Sequence, residues 1–345
     1  MTPRIAHPAF LIFVLAVAIA IVHLLRKASH PRGAVEPRAL QNTIFIPVVA
    51  PPYSKQSQIT YIQRQIERLF KTAAIASRIF VGIYDCADEI AIPPELQKNV
   101  KILRFMDLRY PFRESNARAI LLAQLFDQEK FTFLIPFDAT LAPSWDEILV
   151  RNQQFEDEVH GDNLSIITSM CKFHNLLGDT NADFLCLQQI QGARLSLHTK
   201  PTVQRAETSV PSLFWSQNYS FCHGFVFEEV PLLRNISDSM ETTLNNLRLW
   251  THGFRFVVPG AIVAFVQQAY QPKQTTYANP PSASGLGSVR TVKEFEIYTG
   301  ISFSDSAATP RARAGLSPKA KISECTNKYG SIELARLQLF ENDKT

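Results

Sequence analysis

The longest apolar run of the chain comes first. From Ala9 to Leu25 the sequence AFLIFVLAVAIAIVHLL is interrupted only by His23. At a rise of about 1.5 Å per residue it reaches roughly 26 Å, slightly under the ~30 Å hydrocarbon core of a bilayer. A cleaved signal peptide would end at a small-residue site, whereas RKASHPRG follows here, so the run is expected to remain as a transmembrane signal anchor. Residues 1–8 are then a cytoplasmic tail. Residues 26–42, basic and proline-bearing with little periodicity, form a stem. Arg4 precedes the segment and Arg26, Lys27 and Arg32 follow it, so flanking charge does not set the orientation.

Beyond the stem the pattern alternates. TIFIPVVA (43–50) is β-branched and closes at Pro51-Pro52, which reads as a strand. In QSQITYIQRQIERLFKTA (56–73), Ile59, Ile62, Ile66, Leu69 and Phe70 recur at helical spacing. RIFVGIYD (78–85) and VKILRFM (100–106) read as strands, RESNARAILLAQLFDQ (113–128) as a helix and FTFLIPFD (131–138) as a strand. SWDEILVRNQQFED (144–157) is expected to be a helix with Ser144 at its N-cap, and LSIITSM (164–170) another strand. SMETTLNNLRLWTHG (239–253) is helical and FRFVVPG (254–260) a strand. Residues 271–288, rich in Pro, Ser, Gly and Thr, read as a loop. A polar extension, 301–345, carries one late helical stretch, SIELARLQLF (331–340). Strand and helix in alternation predict an α/β domain over 43–300, with a mostly parallel central sheet covered on both faces.

Composition narrows the picture little. Of 345 residues, 46% are hydrophobic and 19% charged, as in an ordinary globular protein, and the formal charge is +4. The basic residues are scattered without interleaved aromatics, which argues against nucleic acid as a partner. The five cysteines (Cys86, Cys171, Cys186, Cys222 and Cys325) include no C-x-x-C pair; zinc is disfavoured, and one or two disulfides are left open. Asn-x-Ser sequons at Asn163, Asn218 and Asn235 are compatible with a luminal glycoprotein.

Candidate chemistry collects at the strand ends. Ligands of open α/β sheets sit at the carboxyl ends of the strands, and Asp85 and Asp138 both fall there. The stretches RIFVGIYD, NARAILLAQLF, FDATLAPSWDEIL, CHGFVFEEVP, LRLWTHGFRFVVPG and GLGSVRTVKEF occur in that order between residues 43 and 300. In these the chain resembles the retaining GlcNAc-transferase family that modifies hydroxyproline or threonine in polypeptides. The resemblance implies the nucleotide-sugar transferase fold called GT-A. It also implies a UDP-GlcNAc donor, a polypeptide or glycan acceptor and a Mn2+ or Mg2+ ion bridging the diphosphate. With the anchor, it implies a single-pass type II protein of the Golgi or endoplasmic reticulum.

The resemblance also implies site residues, and the chain departs from the family at several. The strand-end triplet is Asp138-Ala139-Thr140, which keeps the first metal ligand and reduces the third to a hydroxyl. Gln268, in FVQQAY, stands where the family carries a histidine ligand. Of an acidic cluster before RLWTHG only Glu241 remains, with Asp238 nearby, and Arg113-Glu114 replaces a Gly-Pro before Ala117 and Arg118. The expected metal ligands are therefore Asp138, Thr140 and Gln268. Glu241 would be the catalytic acid orienting the acceptor or the reacting face, and Asp85, Arg118 and Arg290 would contact the nucleotide with Asp138.

Each residue has a plainer alternative. Asp138 can cap its loop, Glu241 can face solvent at a helix start, Arg118 can pair with Glu114 and Arg290 can be a surface arginine. Trp145 and Trp250 serve as core aromatics or sugar platforms, and His223 and His252 as structural or substrate-binding groups. Loss of ligands also fits a different class of protein, a non-catalytic relative that keeps the fold as a scaffold or binding module.

Overall fold

Alternating stretches of β-branched and helix-periodic sequence produce alternating strands and helices in the computed structural model. It describes residues 42–50, 56–85, 90–104, 114–173, 183–191, 194–201, 210–234, 238–266, 285–299, 301–303 and 310–312. The expected anchor at 9–25, stem residues 26–41, Gln268, Asn235, nearly all of the 271–288 loop and the helix expected at 331–340 lie outside these residues. Among the described residues no helix is long and apolar enough to cross a membrane.

In chain order the elements are β1 (Ile44–Ala50), α1 (Gln56–Thr72), β2 (Ile79–Asp85), β3 (Val100–Arg104), α2 (Glu114–Leu125), β4 (Phe131–Leu134), β5 (Thr140–Leu141) and α3 (Trp145–His160). There follow β6 (Ser165–Thr168), β7 (Lys172–Phe173), the hairpin β8 (Asp183–Gln191) and β9 (Arg194–Pro201), β10 (Val210–Pro211), β11 (Ser220–His223) and α4 (Phe225–Glu229). The last are α5 (Asp238–Thr251), β12 (Arg255–Val258), β13 (Ala264–Val266), α6 (Val292–Thr299), β14 (Ile301–Phe303) and β15 (Pro310–Ala312).

The central sheet has the order β10-β12-β6-β11-β4-β1-β2-β3. β1, β2, β3 and β4 run parallel, as do β6 and β12, while β11 lies antiparallel between β4 and β6 and β10 is an antiparallel edge. The mostly parallel sheet expected from sequence is thus present, with one reversed strand at its middle. All seven residues of β1 are buried, as a strand covered on both faces requires. α1 lays Ile59, Ile62, Ile66, Leu69 and Phe70 into this core, and Trp145 stacks on Phe133 of β4.

Two local departures matter. The strand expected over 131–138 stops at Leu134. Pro136 has no N–H for a ladder, and the chain turns instead, Ala139 N–H donating to the Pro136 carbonyl at 3.1 Å. Asp138 therefore sits on a turn beyond the strand. Ser144 occupies the N-cap position of α3, yet its φ is 57° and its hydroxyl makes no capping bond; its N–H donates instead to the Thr72 carbonyl at 2.7 Å.

Candidate functional site

Three of the expected site residues converge at the carboxyl edge of β4. Arg118, only 1% exposed on α2, donates from one terminal nitrogen to the Gln217 carbonyl at 2.6 Å. Its other terminal nitrogen bonds the Ile135 carbonyl at 3.0 Å and pairs with the Glu114 carboxylate. The guanidinium therefore ties α2 to the turn that carries Asp138 and to the segment before β11. Gln217 continues the chain of contacts, its amide nitrogen donating to Glu241 at 3.2 Å. Glu241 is buried in the first turn of α5.

Asp138 is half-buried. One of its carboxylate oxygens, Oδ1, is sealed from water and makes no hydrogen bond among the described residues. Burial pushes this carboxyl above its ordinary value, a bond from its own backbone pulls the other way, and the nearby Glu114 carboxylate adds to the rise. Around it lie the Tyr61 hydroxyl, which donates to the Asp138 carbonyl at 3.3 Å, and Cys171, whose thiol is pushed up by burial and by the charge of Asp138. Gln217 Oε1 is a second buried acceptor without a partner among the described residues. Other buried polar atoms without a partner among the described residues occur away from this edge, at Thr132, Gln153 and Arg255 among others. The position of these two, at the carboxyl end of a sheet strand, is what makes them candidates to meet a donor or cation.

The remaining expected residues lie elsewhere or are committed to other contacts. Thr140 is buried in β5 and its hydroxyl faces Gln65 of α1 at 3.5 Å. Asp85, 1% exposed at the end of β2, accepts the Ile90 N–H at 3.0 Å and so closes its own loop. It stands two strands from β4, about 10 Å across the sheet. Arg290 packs over the Trp250 ring at 4.2 Å and donates to the Phe254 carbonyl at 3.0 Å. Trp250 is at the far end of α5 from Glu241, about 13 Å along the axis, so Arg290 does not join the other three. Its segment is pinned to that end: Val289 and Arg290 N–H groups donate to the Thr251 carbonyl, and a Cβ at Gly287 would lie 2.4 Å from that oxygen.

The aromatic and histidine candidates are held within the fold. Trp145 donates to the Leu69 carbonyl at 3.2 Å beneath β4. His223 bonds Asp157 at 2.8 Å, and His252 Nδ1 caps the Arg248 carbonyl at 2.7 Å. Asp146, beside Trp145, accepts the Ala74 and Ile75 N–H groups and pairs with Arg78 at 2.6 Å, closing the link between α1 and β2. Cys171 and Cys222 are free thiols.

Sequence reasoning missed Gln217, Tyr61 and Gln65. For Gln65 a signal was readable. It falls between Ile62 and Leu69 on the apolar stripe of α1, a polar residue on a face otherwise buried. Gln217 sits in an irregular segment with no such cue.

No protein-family model and no curated protein sequence matches the chain. Among the solved structures similar to it in part are two glycosyltransferase complexes. One is GalNAc-T7 with UDP, GalNAc and Mn2+, at TM-score 0.44 and 13% identity, covering 87% of this chain and 54% of that one. The other is the mannosyltransferase PcManGT from Pyrobaculum calidifontis in complex with GDP-Man and Mn2+, at TM-score 0.40 and 10% identity, covering 70% of this chain and 61% of that one. The chain thus spans between half and two thirds of the length of the structures it matches.

Proposed function

We propose that the chain is a membrane-anchored, GT-A-like glycosyltransferase of the Golgi or endoplasmic reticulum, single-pass type II, with residues 43–300 luminal. It would transfer a sugar, GlcNAc from UDP-GlcNAc, to a hydroxyl of a polypeptide or glycan with retention of configuration. The observation that carries this reading is the Asp138 carboxylate, half-buried at the strand edge where α/β sheets take ligands, with one oxygen unbonded. Keeping such an oxygen desolvated is costly unless the working state supplies a partner.

A divalent cation suits that oxygen. Mg2+ and similar ions are held by one or two carboxylates, and phosphates and water complete the shell. Among the described residues no group of three or more His, Cys, Asp or Glu could hold an ion, so the protein's share of the ligands is small. Asp138 is assigned as the anchoring ligand, with Thr140 and Gln268 as secondary ones. When bound, Mn2+ or Mg2+ neutralises the charge that builds on the departing diphosphate. Glu241, held by Gln217, is assigned the acceptor side of the reacting centre. Arg118 acts through the turn it fixes, since its guanidinium is committed to carbonyls and to Glu114. Asp85 is assigned the uridine or ribose, through the loop it closes. Arg290 is assigned to the frame at the end of α5.

A scaffold that binds without turnover is the second reading. The Thr140 hydroxyl facing Gln65 and the commitment of both Arg118 terminal nitrogens to carbonyls and Glu114 favour it. Titrating UDP with Mn2+ while following the melting temperature of the purified chain tests the first reading, since a ligand of the native state must raise it. A rise that disappears in Asp138→Ala, with the fold intact, supports the transferase site. An unchanged rise in that variant returns Asp138 to a loop cap. Hydrolysis of the donor then separates an enzyme from a binding module.

A further inference from the structure

A second feature lies on the solvent side of α1. Arg64, Arg68 and Lys71 recur at one-turn spacing on its exposed face. With Glu67, Thr72, Ala73, Pro143 and Ser144 they line an open groove of about 760 Å³. Several buried or half-buried arginines elsewhere are engaged: Arg78 with Asp146, Arg118 with Glu114, Arg255 with Asp162, Arg290 on Trp250. Arg64, Arg68 and Lys71 make no ion pair among the described residues. Glu67, one turn from Arg64 and from Lys71, is the single acid of the groove and bonds neither. Like charges three and four residues apart repel, Glu67 offsets this only in part, and the stripe keeps an excess of positive charge facing solvent.

We propose that this groove binds an acidic polypeptide segment in extended conformation, with Arg64, Arg68 and Lys71 pairing its carboxylates. Charge and spacing both fit that occupant. Arg64 and Arg68 rise about 6 Å apart along the helix, and alternate side chains of an extended strand stand about 6.8 Å apart on one side. Arginine forks match carboxylates in bidentate fashion. The other wall, Pro143-Ser144 against Thr72-Ala73, is built of small side chains, which leaves room for a peptide backbone. The Ser144 hydroxyl makes no capping bond and is available to it. The groove also adjoins the candidate site: along α1, Tyr61 meets Asp138, Gln65 meets Thr140 and the Thr72 carbonyl meets Ser144. A peptide held there runs toward the Asp138 turn, yet its binding does not depend on sugar transfer.

The test uses the full-length chain in detergent and a fluorescent octapeptide of alternating Asp and Ser, read by anisotropy. A charge-matched sulfated oligosaccharide serves as competitor. The expected result is saturable binding of the peptide that weakens with added salt and falls about tenfold or more in R64E/R68E/K71E. R68E alone should give a smaller loss in the same direction, and Arg151→Glu, on the exposed face of α3, none. Equal binding by the triple variant overturns the proposal. So does displacement by the oligosaccharide at concentrations below those of competing unlabelled peptide, which would make the occupant a glycan. UDP-dependent melting shifts recorded on the same samples report the Asp138 site separately, so failure of one reading is told from failure of the other.

Discussion

The two ends of the central sheet treat charge in opposite ways. At the amino ends of β4, β6 and β12, ionic groups are matched. Asp157 holds His223 at 2.8 Å and Asp162 takes both terminal nitrogens of Arg255. At the carboxyl end of β4, Arg118 is as tightly held, but Asp138 Oδ1 and Gln217 Oε1 are buried without partners among the described residues. The first arrangement closes a fold. The second leaves acceptor capacity over, which is what a site for a cation or a donor-bearing ligand requires. The carboxylates distinguish them: Asp157 and Asp162 each have a basic partner, whereas Asp138 keeps one oxygen without a partner among the described residues.

The largest test removes the guanidinium that ties α2 to the carboxyl end of β4. Arg118→Ala strands the Glu114 carboxylate and two carbonyls, and urea unfolding should show a loss of about 3–5 kcal/mol. A loss under 1 kcal/mol would mean that this end is not built around the guanidinium.

Next comes pH, which sharpens the amino end. Burial pushes Glu156 up to about 7, with Arg255 opposing and Asp157 adding. Its folded form holds a proton that the unfolded chain, near the ordinary 4.5, has released. Its contribution is complete below pH 4.5 and is lost as pH rises to about 7, by on the order of 3 kcal/mol. Glu156→Gln should flatten that slope in stability measured from pH 4.5 to 8.

Asp138→Ala carries the opposite sign from Arg118→Ala. It deletes a desolvated carboxylate, so stability should hold or rise by about 1 kcal/mol while nucleotide binding disappears. A clear fall in stability would place Asp138 among the fold-closing charges of the other end. The smallest effect is expected of Gln217→Ala, about 1 kcal/mol, from loss of its bond to Glu241.

Much of the frame was legible because period speaks for itself. β1, α1, β2, β3, α3 and β6 fall within a few residues of their expected bounds, since each buries a face that alternates or recurs. The hairpin β8–β9 was overlooked, although FLCLQQIQ and RLSLHTK flank Gly192-Ala193 in a readable hairpin pattern. Short strands such as β5, β7 and β10 are two residues long, too short for any pattern. The strand-end acids were legible by position. That Arg118 would be bound to carbonyls and Arg290 would stack on Trp250 was not, because an arginine's partner depends on residues far along the chain.

The reversed strand β11 sets the order in which the molecule can be assembled during synthesis. β4 has β1 on one side from the start, but its other edge, with Phe131, Phe133 and Leu134, has no partner until residues 220–223 emerge from the ribosome. Until then a nascent chain of more than two hundred residues carries a bare apolar ladder at what becomes the middle of the sheet, the situation in which chaperones are recruited. Truncations ending before β11 should for that reason precipitate rather than give a soluble half-domain.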